Sequence, residues 1–338
     1  MTESHLQEIK KQLSTSKKVV IVPHKNPDGD AIGSSLALHH YLVGLGHQST
    51  VVVPNDYPEF LKWIPGTDTV VCFEKDEALA KKNIDAADIF FALDYNALHR
   101  TGEMGNYLEA SNNFKILIDH HRQPEDFADA MYSDDTMSST CEMIYHFLEM
   151  LDAIDHITPS IATCIYVGIM TDTGSFRFPS TTSTTHRVIA DLMDKGAVNA
   201  QIHNAVYDTN SLNKLHLLGR ALNNLVVLED FNTAYISLSQ KDLDEFQFKK
   251  GDTEGVVNYA LSIKGIKLAV IFIENLGEKI IKMSLRSKGS FDVNILARTH
   301  FNGGGHVNAA GGRSETSLKS SIDNFISILP QYKKDLNS

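Results

Sequence analysis

Three short apolar runs in the first half of the chain are each followed at once by acidic or histidine residues. The runs are residues 19–22, 89–93 and 114–118, and they are rich in β-branched and aromatic side chains. Such runs are typical of strands that are buried on both faces of a parallel sheet. Because the carboxyl ends of parallel strands lie at one edge, the polar residues that follow are expected to meet there. The chain is therefore predicted to be an α/β protein with a binding site at this edge.

The rest of the pattern up to about residue 200 alternates between strands and helices. Two more strands are predicted at residues 50–53 and 70–73. The predicted helices are residues 31–45, 139–151, 159–171 and 182–195. This alternation favours a parallel sheet with helices packed on it.

After about residue 230 the pattern becomes that of a smaller, mixed α+β domain. Its predicted elements are a strand at 234–238, a helix at 256–261 and a hairpin made by 267–273 and 279–285. A chain of 338 residues is long enough for roughly two domains. We predict a first domain over 1–197, a polar linker over 198–229 and a second domain over 230–338. The active site is expected in a cleft between the two domains.

The composition is that of a folded protein and argues against several classes of function. Apolar residues make up 42% of the chain and charged residues 22%. No apolar stretch approaches the roughly 18 residues that span a bilayer, so we expect a cytoplasmic protein without a membrane partner. The formal charge of −11 argues against binding along long duplex nucleic acid. The three cysteines are too widely separated to indicate a disulfide framework or a zinc knuckle.

The first polar cluster is the segment His24-Lys25-Asn26-Pro27-Asp28-Gly29-Asp30, between a predicted strand and a predicted helix. Gly29 permits a tight turn that aims the carboxylates of Asp28 and Asp30 into one site. An Asp-x-Asp pair alone is more often a solvated loop or a helix N-cap. His24 adds a third candidate ligand at the end of the strand, which favours a metal site.

The other clusters follow later strands or a helix. Asp94 follows the second buried strand, and Asp119-His120-His121 follows the third. A lone acidic residue there usually caps a helix or forms a turn, but such residues after several strands need a common partner for their charge. Asp172, beyond the 159–171 helix, is either a loop residue or a ligand, since a carboxylate at a helix C-terminus is unfavourable without a nearby cation.

The types of ligand narrow the choice of metal and of reaction. Carboxylates and imidazoles without thiolates suit Mn²⁺ or another hard-to-borderline divalent ion better than structural zinc. We predict two ions, with Mn²⁺ as the first choice and Mg²⁺ or Co²⁺ as alternatives. Two such ions about 3.5–4 Å apart can activate a water molecule and neutralise the charge of a phosphoryl group. The predicted reaction is hydrolysis of a phosphoester or a phosphoanhydride.

A second informative region lies near the C-terminal end. Arg286 precedes a glycine-rich stretch that contains Gly304, Gly305 and His306. A glycine-rich loop by itself is more often a structural turn than a phosphate site. Arginine can bind phosphate with two parallel hydrogen bonds and histidine can donate another, so this pair favours an anion site.

Together these motifs resemble those of a known family. They are HKNPDGDAIGS at residues 24–34, Asp94, the DHH triplet at 119–121, GIMTDTGSF at 168–176 and GGGHVNAAGG at 303–312. The chain resembles the DHH phosphoesterase superfamily, and within it the bifunctional oligoribonuclease and pAp phosphatase group, the nano-RNases. The resemblance implies a parallel-sheet DHH domain followed by a smaller DHH-associated domain.

The resemblance also implies a role for each site residue. One metal ion is expected on His24, Asp28 and Asp94. The other is expected on Asp30, Asp94, His120 and Asp172, so that Asp94 bridges the two ions. His121 is expected to face the scissile phosphate, and Asp119 to support the histidine pair. Arg286 and His306, with Gly304 and Gly305, match the family's substrate-binding positions.

The function implied is cleavage of very short RNA to mononucleotides and of 3′-phosphoadenosine 5′-phosphate (pAp) to AMP and phosphate. Short RNA and pAp are thus the expected partners, and a homodimer is compatible with the sequence. Alternatives that stay open are a linear or cyclic dinucleotide phosphodiesterase and an exopolyphosphatase or pyrophosphatase. A non-catalytic nucleotide-binding protein fits the full set of ligand-type residues less well.

Overall fold

The structure is a computed structural model that describes residues 1–337. The chain forms two compact units, which divide between Thr209 and Asn210. This boundary lies inside the predicted linker 198–229, and most of that segment is regular structure. Part of it is a helix that buries Ile202 and Val206 in the first unit, and part is a helix that buries Leu217 and Ala221 in the second. The segment has a polar composition because each short helix buries only one narrow face.

The first unit is built on a parallel sheet. Its strands are β1 (Lys18–Pro23), β2 (Gln48–Val53), β3 (Val71–Cys72), β4 (Ile89–Leu93), β5 (Phe114–Asp119) and β6 (Ala130–Ser133). Within residues 1–209 these six strands lie in the order β3-β2-β1-β4-β5-β6, and every neighbouring pair is parallel. The predicted parallel sheet is confirmed. β6 was not predicted from the sequence, because it is a short edge strand whose residues are only alternately buried.

Helices pack on both faces of this sheet. They are α1 (Glu3–Gln12), α2 (Gly29–Gly44), α3 (Glu77–Ala86), α4 (Met104–Glu109), α5 (Thr140–Met150), α6 (Pro159–Asp172), α7 (Ser183–Asp194) and α8 (Asn199–Tyr207). Alternate residues of β4 belong to the two hydrophobic clusters on opposite sides of the sheet, for example Phe91 to one and Phe90 to the other. The strands are apolar throughout because both faces are covered.

The second unit is a mixed sheet with helices. Its strands are β7 (Val226–Leu228), β8 (Thr233–Leu238), β9 (Leu268–Asn275), β10 (Ile280–Ser287), β11 (Gly304–Gly305) and β12 (Ala309–Ser314). Its helices are α9 (Leu212–Asn223), α10 (Gln240–Glu245), α11 (Val257–Leu261), α12 (Val293–His300) and α13 (Leu318–Asn337). Strands β8 and β9 are parallel, whereas β9 and β10 form the predicted antiparallel hairpin. The predicted α+β domain is confirmed.

Within residues 1–337, none of the helices combines the length and the apolar character needed to cross a membrane.

Helices α2 and α6 pack closely because small residues lie where they meet. A Cβ atom added at Gly33 of α2 would lie 2.5 Å from the carbonyl oxygen of Cys164 on α6, and one at Gly168 of α6 would lie 2.8 Å from Oδ1 of Asp30 on α2. Neither distance is possible without a shift of the helices. The two glycines therefore set how near α2, which begins beside Asp28 and Asp30, approaches the helix that ends at Asp172.

Replacing Gly33 by alanine is expected to lower the free energy of unfolding by about 1–3 kcal/mol, because the new methyl group would overlap a backbone atom of α6. Urea denaturation followed by circular dichroism measures this change. Gly44→Ala is the matched control on the same helix, since a Cβ there meets no atom of the described residues within 4 Å. That control is expected to leave stability unchanged or slightly raised. Equal losses in the two variants would contradict the close contact.

Candidate metal centre

The strand order brings the predicted clusters to one place on the sheet. Strands β1 and β4 are neighbours at the centre, and β1 leads to β2 on one side while β4 leads to β5 on the other. Open α/β sheets bind ligands at such a switch point, at the carboxyl ends of the strands. His24 follows β1 and Asp94 follows β4. The position of the site is therefore a direct consequence of the topology.

The first cluster contains His24, Asp28 and Asp94. Nε2 of His24 lies 3.4 Å from Oδ2 of Asp94 and 3.8 Å from Oδ2 of Asp28. Nδ1 of His24 is 2.9 Å from the carbonyl oxygen of Lys25, so Nδ1 carries the proton that this bond requires. Burial lowers the pKa of His24, which favours the neutral ring. The lone pair of Nε2 therefore points at two carboxylates.

The second cluster contains Asp30, His120 and Asp172, with Asp94 beside them. Nε2 of His120 lies 3.6 Å from Oδ2 of Asp172 and 3.8 Å from Oδ2 of Asp30. Nδ1 of His120 is 3.3 Å from the carbonyl oxygen of Met137, which orients the ring. Burial lowers the pKa of His120, but the charges of Asp172, Asp30 and Asp119 outweigh it, so the pKa is raised overall. The ring therefore faces an environment that favours positive charge.

Asp94 contributes one carboxylate oxygen to each cluster. Oδ2 faces His24, and Oδ1 lies 3.5 Å from Nε2 of His120. The hydroxyl of Thr140 donates to Oδ1 at 2.9 Å and fixes the side chain. Asp94 has a φ of +66°, a left-handed conformation that aspartate tolerates better than most residues. Asp94 thus presents one carboxylate oxygen to each cluster.

Two of the acidic residues also hold helices in place. Oδ1 of Asp28 accepts hydrogen bonds from the backbone N–H groups of Asp30 and Ala31, so Asp28 is the N-cap of α2. Asp30 accepts from the backbone N–H groups of Thr140 and Cys141, at 2.7 and 2.8 Å. The N-cap interpretation and the ligand interpretation of this motif are thus compatible, because different oxygen lone pairs serve each role.

The charges of the site fit a divalent cation. Burial raises the pKa of Asp94 well above its usual range, and the charges of Asp30, Asp28, Asp172 and Asp119 raise it further. Burial also raises the pKa of Asp30. Several buried carboxylates next to one another are costly unless a cation lies among them.

The distances and the donor atoms also fit such a cation. The separations of 3.4 to 3.8 Å between imidazole nitrogens and carboxylate oxygens are longer than the usual N–H···O hydrogen-bond distances. Two atoms that each lie about 2.1 Å from one ion are roughly 3.0–3.4 Å apart, which is close to these values. Cys141 approaches Asp30, but burial raises the pKa of its thiol well above normal. Oxygen and imidazole atoms thus form the donor set, which suits a hard-to-borderline divalent cation.

His121 and Asp119 lie next to the second cluster. Oδ1 of Asp119 accepts a hydrogen bond from Nδ1 of His121 at 2.7 Å, and Asp119 is fully buried. Nδ1 of His121 is 3.8 Å from Oδ1 of Asp94. Asp119 therefore orients His121, whereas His120 is oriented by a backbone carbonyl. The expectation that Asp119 supports both histidines fits His121 in this geometry, and it stays a prediction for their function.

The structure shows contacts to the ligand-type residues that were not predicted from the sequence, and it extends α6 by one residue. Thr140 and the carbonyl of Met137 both contact ligand-type residues, and the run Ser138-Ser139-Thr140 at the start of α5 was the available signal, since such residues cap helices. Asp172 is the last residue of α6 rather than a residue beyond it. Its carboxylate at the helix C-terminus is the unfavourable placement that a cation would offset.

The remaining predicted residues lie together in the second unit. Arg286 is on β10 and pairs in register with Ala309 of β12, whereas Gly304 and Gly305 form β11 on the other side of β12. The backbone N–H of His306 donates to the carbonyl of Ala309 at 2.7 Å. A Cβ added at Gly305 would lie 2.5 Å from the carbonyl oxygen of Ala309, so strand packing alone already requires this glycine.

Comparison with known proteins decides the family. Residues 18–169 match the model of the DHH family, N-terminal domain, and residues 231–335 match that of the DHHA1 domain. The chain belongs to the DHH family. The first match lies within the unit that carries the metal-type clusters, and the second lies within the unit that carries Arg286.

Relatives are similar over nearly the whole chain. Bifunctional oligoribonuclease and PAP phosphatase NrnA of Thermus thermophilus is 29% identical over 87% of this chain and 83% of its own length. The protein of the same name from Bacillus subtilis is 29% identical over 90% and 91%. The crystal structure of an exopolyphosphatase-related protein from Bacteroides fragilis is 40% identical, with a TM-score of 0.95 over 100% of this chain and 98% of that one. The chain is therefore a hydrolase of the DHH family.

Adding Mn²⁺ is expected to raise the melting temperature of the wild-type protein, and the increase is expected to be lost in Asp94→Ala, which removes a ligand from both clusters. At a free concentration 100 times Kd, binding stabilises the folded state by about 2.7 kcal/mol. Without metal, the loss of a repelled buried carboxylate and the strain of alanine at a φ of +66° act in opposite directions, so the increase is measured against the metal-free melting temperature of each protein. Differential scanning fluorimetry with and without Mn²⁺ measures both effects.

The control for this measurement is Asp152→Asn, which changes a carboxylate whose side chain is 91% exposed. It is expected to keep the full Mn²⁺-dependent increase. An increase of the same size in Asp94→Ala would show that the ions bind without Asp94.

Proposed function

We propose that this protein is a two-metal phosphoesterase that cleaves very short RNA to mononucleotides and converts pAp to AMP and phosphate. The observation that carries the proposal is the position of Asp94, whose two carboxylate oxygens face two separate clusters of ligand-type side chains. A bridging carboxylate is the feature that two-metal phosphoryl transfer needs. The family membership of the chain supports the same chemistry.

In this proposal each group of side chains has a separate role, either holding a metal ion or binding the phosphate. His24 and Asp28 would hold one ion, and Asp30, His120 and Asp172 the other, with Asp94 shared. Two bound divalent ions supply an activated water and neutralise negative charge on the phosphoryl group. His121 donates from Nδ1–H to Asp119, so in its protonated, imidazolium form the ring can also donate from Nε2–H to a phosphate oxygen. This bond strengthens as charge develops on that oxygen.

The second unit supplies further phosphate contacts in this proposal. The Arg286 guanidinium and the His306 imidazole bind phosphate oxygens, and Gly304 and Gly305 let the backbone come close to them. Such contacts orient the substrate without taking part in bond breaking.

Short RNA and pAp are proposed as substrates because relatives that are similar over most of the chain carry those activities in their names. The formal charge of −11 agrees with small anionic substrates rather than with long nucleic acid. The bound metal ions would offset this charge locally.

A second candidate function is hydrolysis of polyphosphate. It is favoured by the Bacteroides fragilis protein, which is 40% identical over the full length and is described as exopolyphosphatase-related. The same metal chemistry can split phosphoanhydride bonds. Only turnover measurements separate the two candidates.

The test is a turnover panel with Mn²⁺, Mg²⁺ or Co²⁺, and with EDTA as the metal-free control. The substrates are RNA of two to five nucleotides, pAp, pApA, pGpG, cyclic di-AMP and polyphosphate. We expect metal-dependent release of mononucleotides from short RNA and of phosphate from pAp. Phosphate release from polyphosphate alone would instead select the second candidate, and cleavage of dinucleotides alone would indicate a dinucleotide phosphodiesterase. No turnover with metal bound would favour a nucleotide-binding protein.

Asp94→Ala is expected to abolish hydrolysis of short RNA and pAp, with a loss on the order of 10³-fold or more, because both metal positions lose a ligand. Circular dichroism verifies that the variant is folded, and initial rates with saturating Mn²⁺ measure the loss. Asp152→Asn is the control and is expected to keep wild-type rates. Full activity in Asp94→Ala would overturn the proposed mechanism.

Arg286→Ala is expected to raise KM for pAp and short RNA by about 10- to 100-fold, the cost of one charged hydrogen bond to phosphate. The Mn²⁺-dependent increase in melting temperature is expected to stay, since Arg286 is not a ligand. Arg313→Ala changes an exposed arginine on the neighbouring strand β12 and serves as the matched control. Unchanged kinetics on both substrates would remove Arg286 from the site.

A further inference from the structure

Two polar atoms beside the metal-type clusters are buried and have no hydrogen-bond partner among the protein groups of residues 1–337. They are the hydroxyl oxygen of Tyr95 and Oδ2 of Asp119. Both side chains are 0% exposed. An unpaired buried hydroxyl or carboxylate oxygen is costly, and in native proteins such groups are usually satisfied by an ordered water molecule.

Tyr95 lies two residues beyond the end of β4, and Asp119 is the last residue of the neighbouring strand β5. β4 and β5 pair in register up to Leu93 and Ile118, so Tyr95 and Asp119 both follow closely on the last paired residues. The ring of Tyr95 belongs to the same hydrophobic cluster as Leu117, two residues before Asp119, and lies parallel to the ring of Phe127. Because side chains alternate along a strand, Leu117 and Asp119 point to the same face of the sheet.

Hydrogen bonds between two loops hold the surroundings of Tyr95 and Asp119 in place. Nδ2 of Asn96 donates to the carbonyl oxygen of Arg122 at 2.7 Å, and the backbone N–H of Glu125 donates to the carbonyl oxygen of Asn96 at 2.7 Å. These bonds connect the loop after β4 to the loop after β5. A tyrosine hydroxyl is protonated at neutral pH, so it can donate a hydrogen bond.

We propose that one buried water molecule connects the Tyr95 hydroxyl to Oδ2 of Asp119, and that Tyr95 is thereby a positioning residue for His121. The hydroxyl donates to the water oxygen, and the water donates to Oδ2. Oδ1 stays free to accept from Nδ1 of His121, as the structure shows. The chain of contacts thus runs from the apolar core through Asp119 to the imidazole that faces the phosphate.

The arrangement explains why a tyrosine follows Asp94 in a fully apolar setting. A phenylalanine would pack equally well against Phe127, but it would leave Oδ2 of Asp119 without support. Mutation of a residue that orients a metal-site side chain by hydrogen bonding commonly lowers metal affinity or activity by 10- to 100-fold. The effect on turnover rests on the proposed function, whereas the water site itself does not.

The test is a double-mutant cycle of Tyr95→Phe and Asp119→Asn, with Tyr41→Phe as the control. Tyr41 is a buried tyrosine in the C-terminal half of α2. Tyr95→Phe is expected to lower kcat about tenfold with KM within twofold of wild type, and to lower the melting temperature by ~2–4 °C. In the Asp119→Asn background the same change is expected to have no further effect on either quantity, because the shared interaction is already lost. Tyr41→Phe is expected to leave kcat unchanged.

Two results would overturn the proposal. One is additivity, in which Tyr95→Phe has the same effect with and without Asp119→Asn. The other is a higher melting temperature for Tyr95→Phe, which would mean that the hydroxyl is unpaired and that its removal relieves the cost of burial. If Asp119→Asn does not fold, a high-resolution crystal structure of the wild-type protein decides, and a dry space between the two atoms contradicts the water.

If the wild-type protein turns over none of the substrates in the panel, the proposed function fails. The water site is then still judged by the melting temperatures of the four proteins and by the crystal structure. The two failures are therefore distinguishable.

Discussion

The repulsion among buried carboxylates at the centre of the first sheet is the constraint on which the site depends. Asp94 has almost no exposure, and the charges of Asp28, Asp30, Asp119 and Asp172 all act on it. The hydrogen bonds from Thr140 do not remove this charge. In the proposed function a pair of divalent cations would remove it, and the same cations would support phosphoryl transfer. Bound cations would thus both stabilise the site and support its chemistry.

The fold creates this crowding through its strand order. The parallel central strands β1 and β4 end at the same edge, and the chain then continues to β2 on one side of the sheet and to β5 on the other. The polar residues that follow the two strands therefore face each other across a crevice at this point. Close packing of α2 on α6, set by Gly33 and Gly168, then brings Asp30 and Asp172 to the same point. Asp30 additionally holds the start of α5 by two backbone hydrogen bonds. The metal-type clusters are therefore built from several elements that each have a structural reason to be there.

Much of this arrangement could be predicted because it has a local signal. Apolar runs predicted the strands, and the polar residues that follow them marked the edge of the sheet. The second domain was indicated by its hairpin. Features that depend on tertiary packing were not predictable in the same way. Thr140 contacts Asp94 only because α5 is docked on Asp30, and the carbonyl of Met137 carries no side-chain signal at all. The segment 198–229 is polar in sequence, yet its helices bury residues in both units.

The most direct test of the central claim is anomalous diffraction from crystals grown with Mn²⁺. The account predicts two anomalous peaks about 3.5–4 Å apart, each within coordination distance of a different oxygen of Asp94. One peak is expected beside His24 and the other beside His120. A single peak, or peaks that Asp94 does not contact, would contradict the claim that this carboxylate bridges two ions.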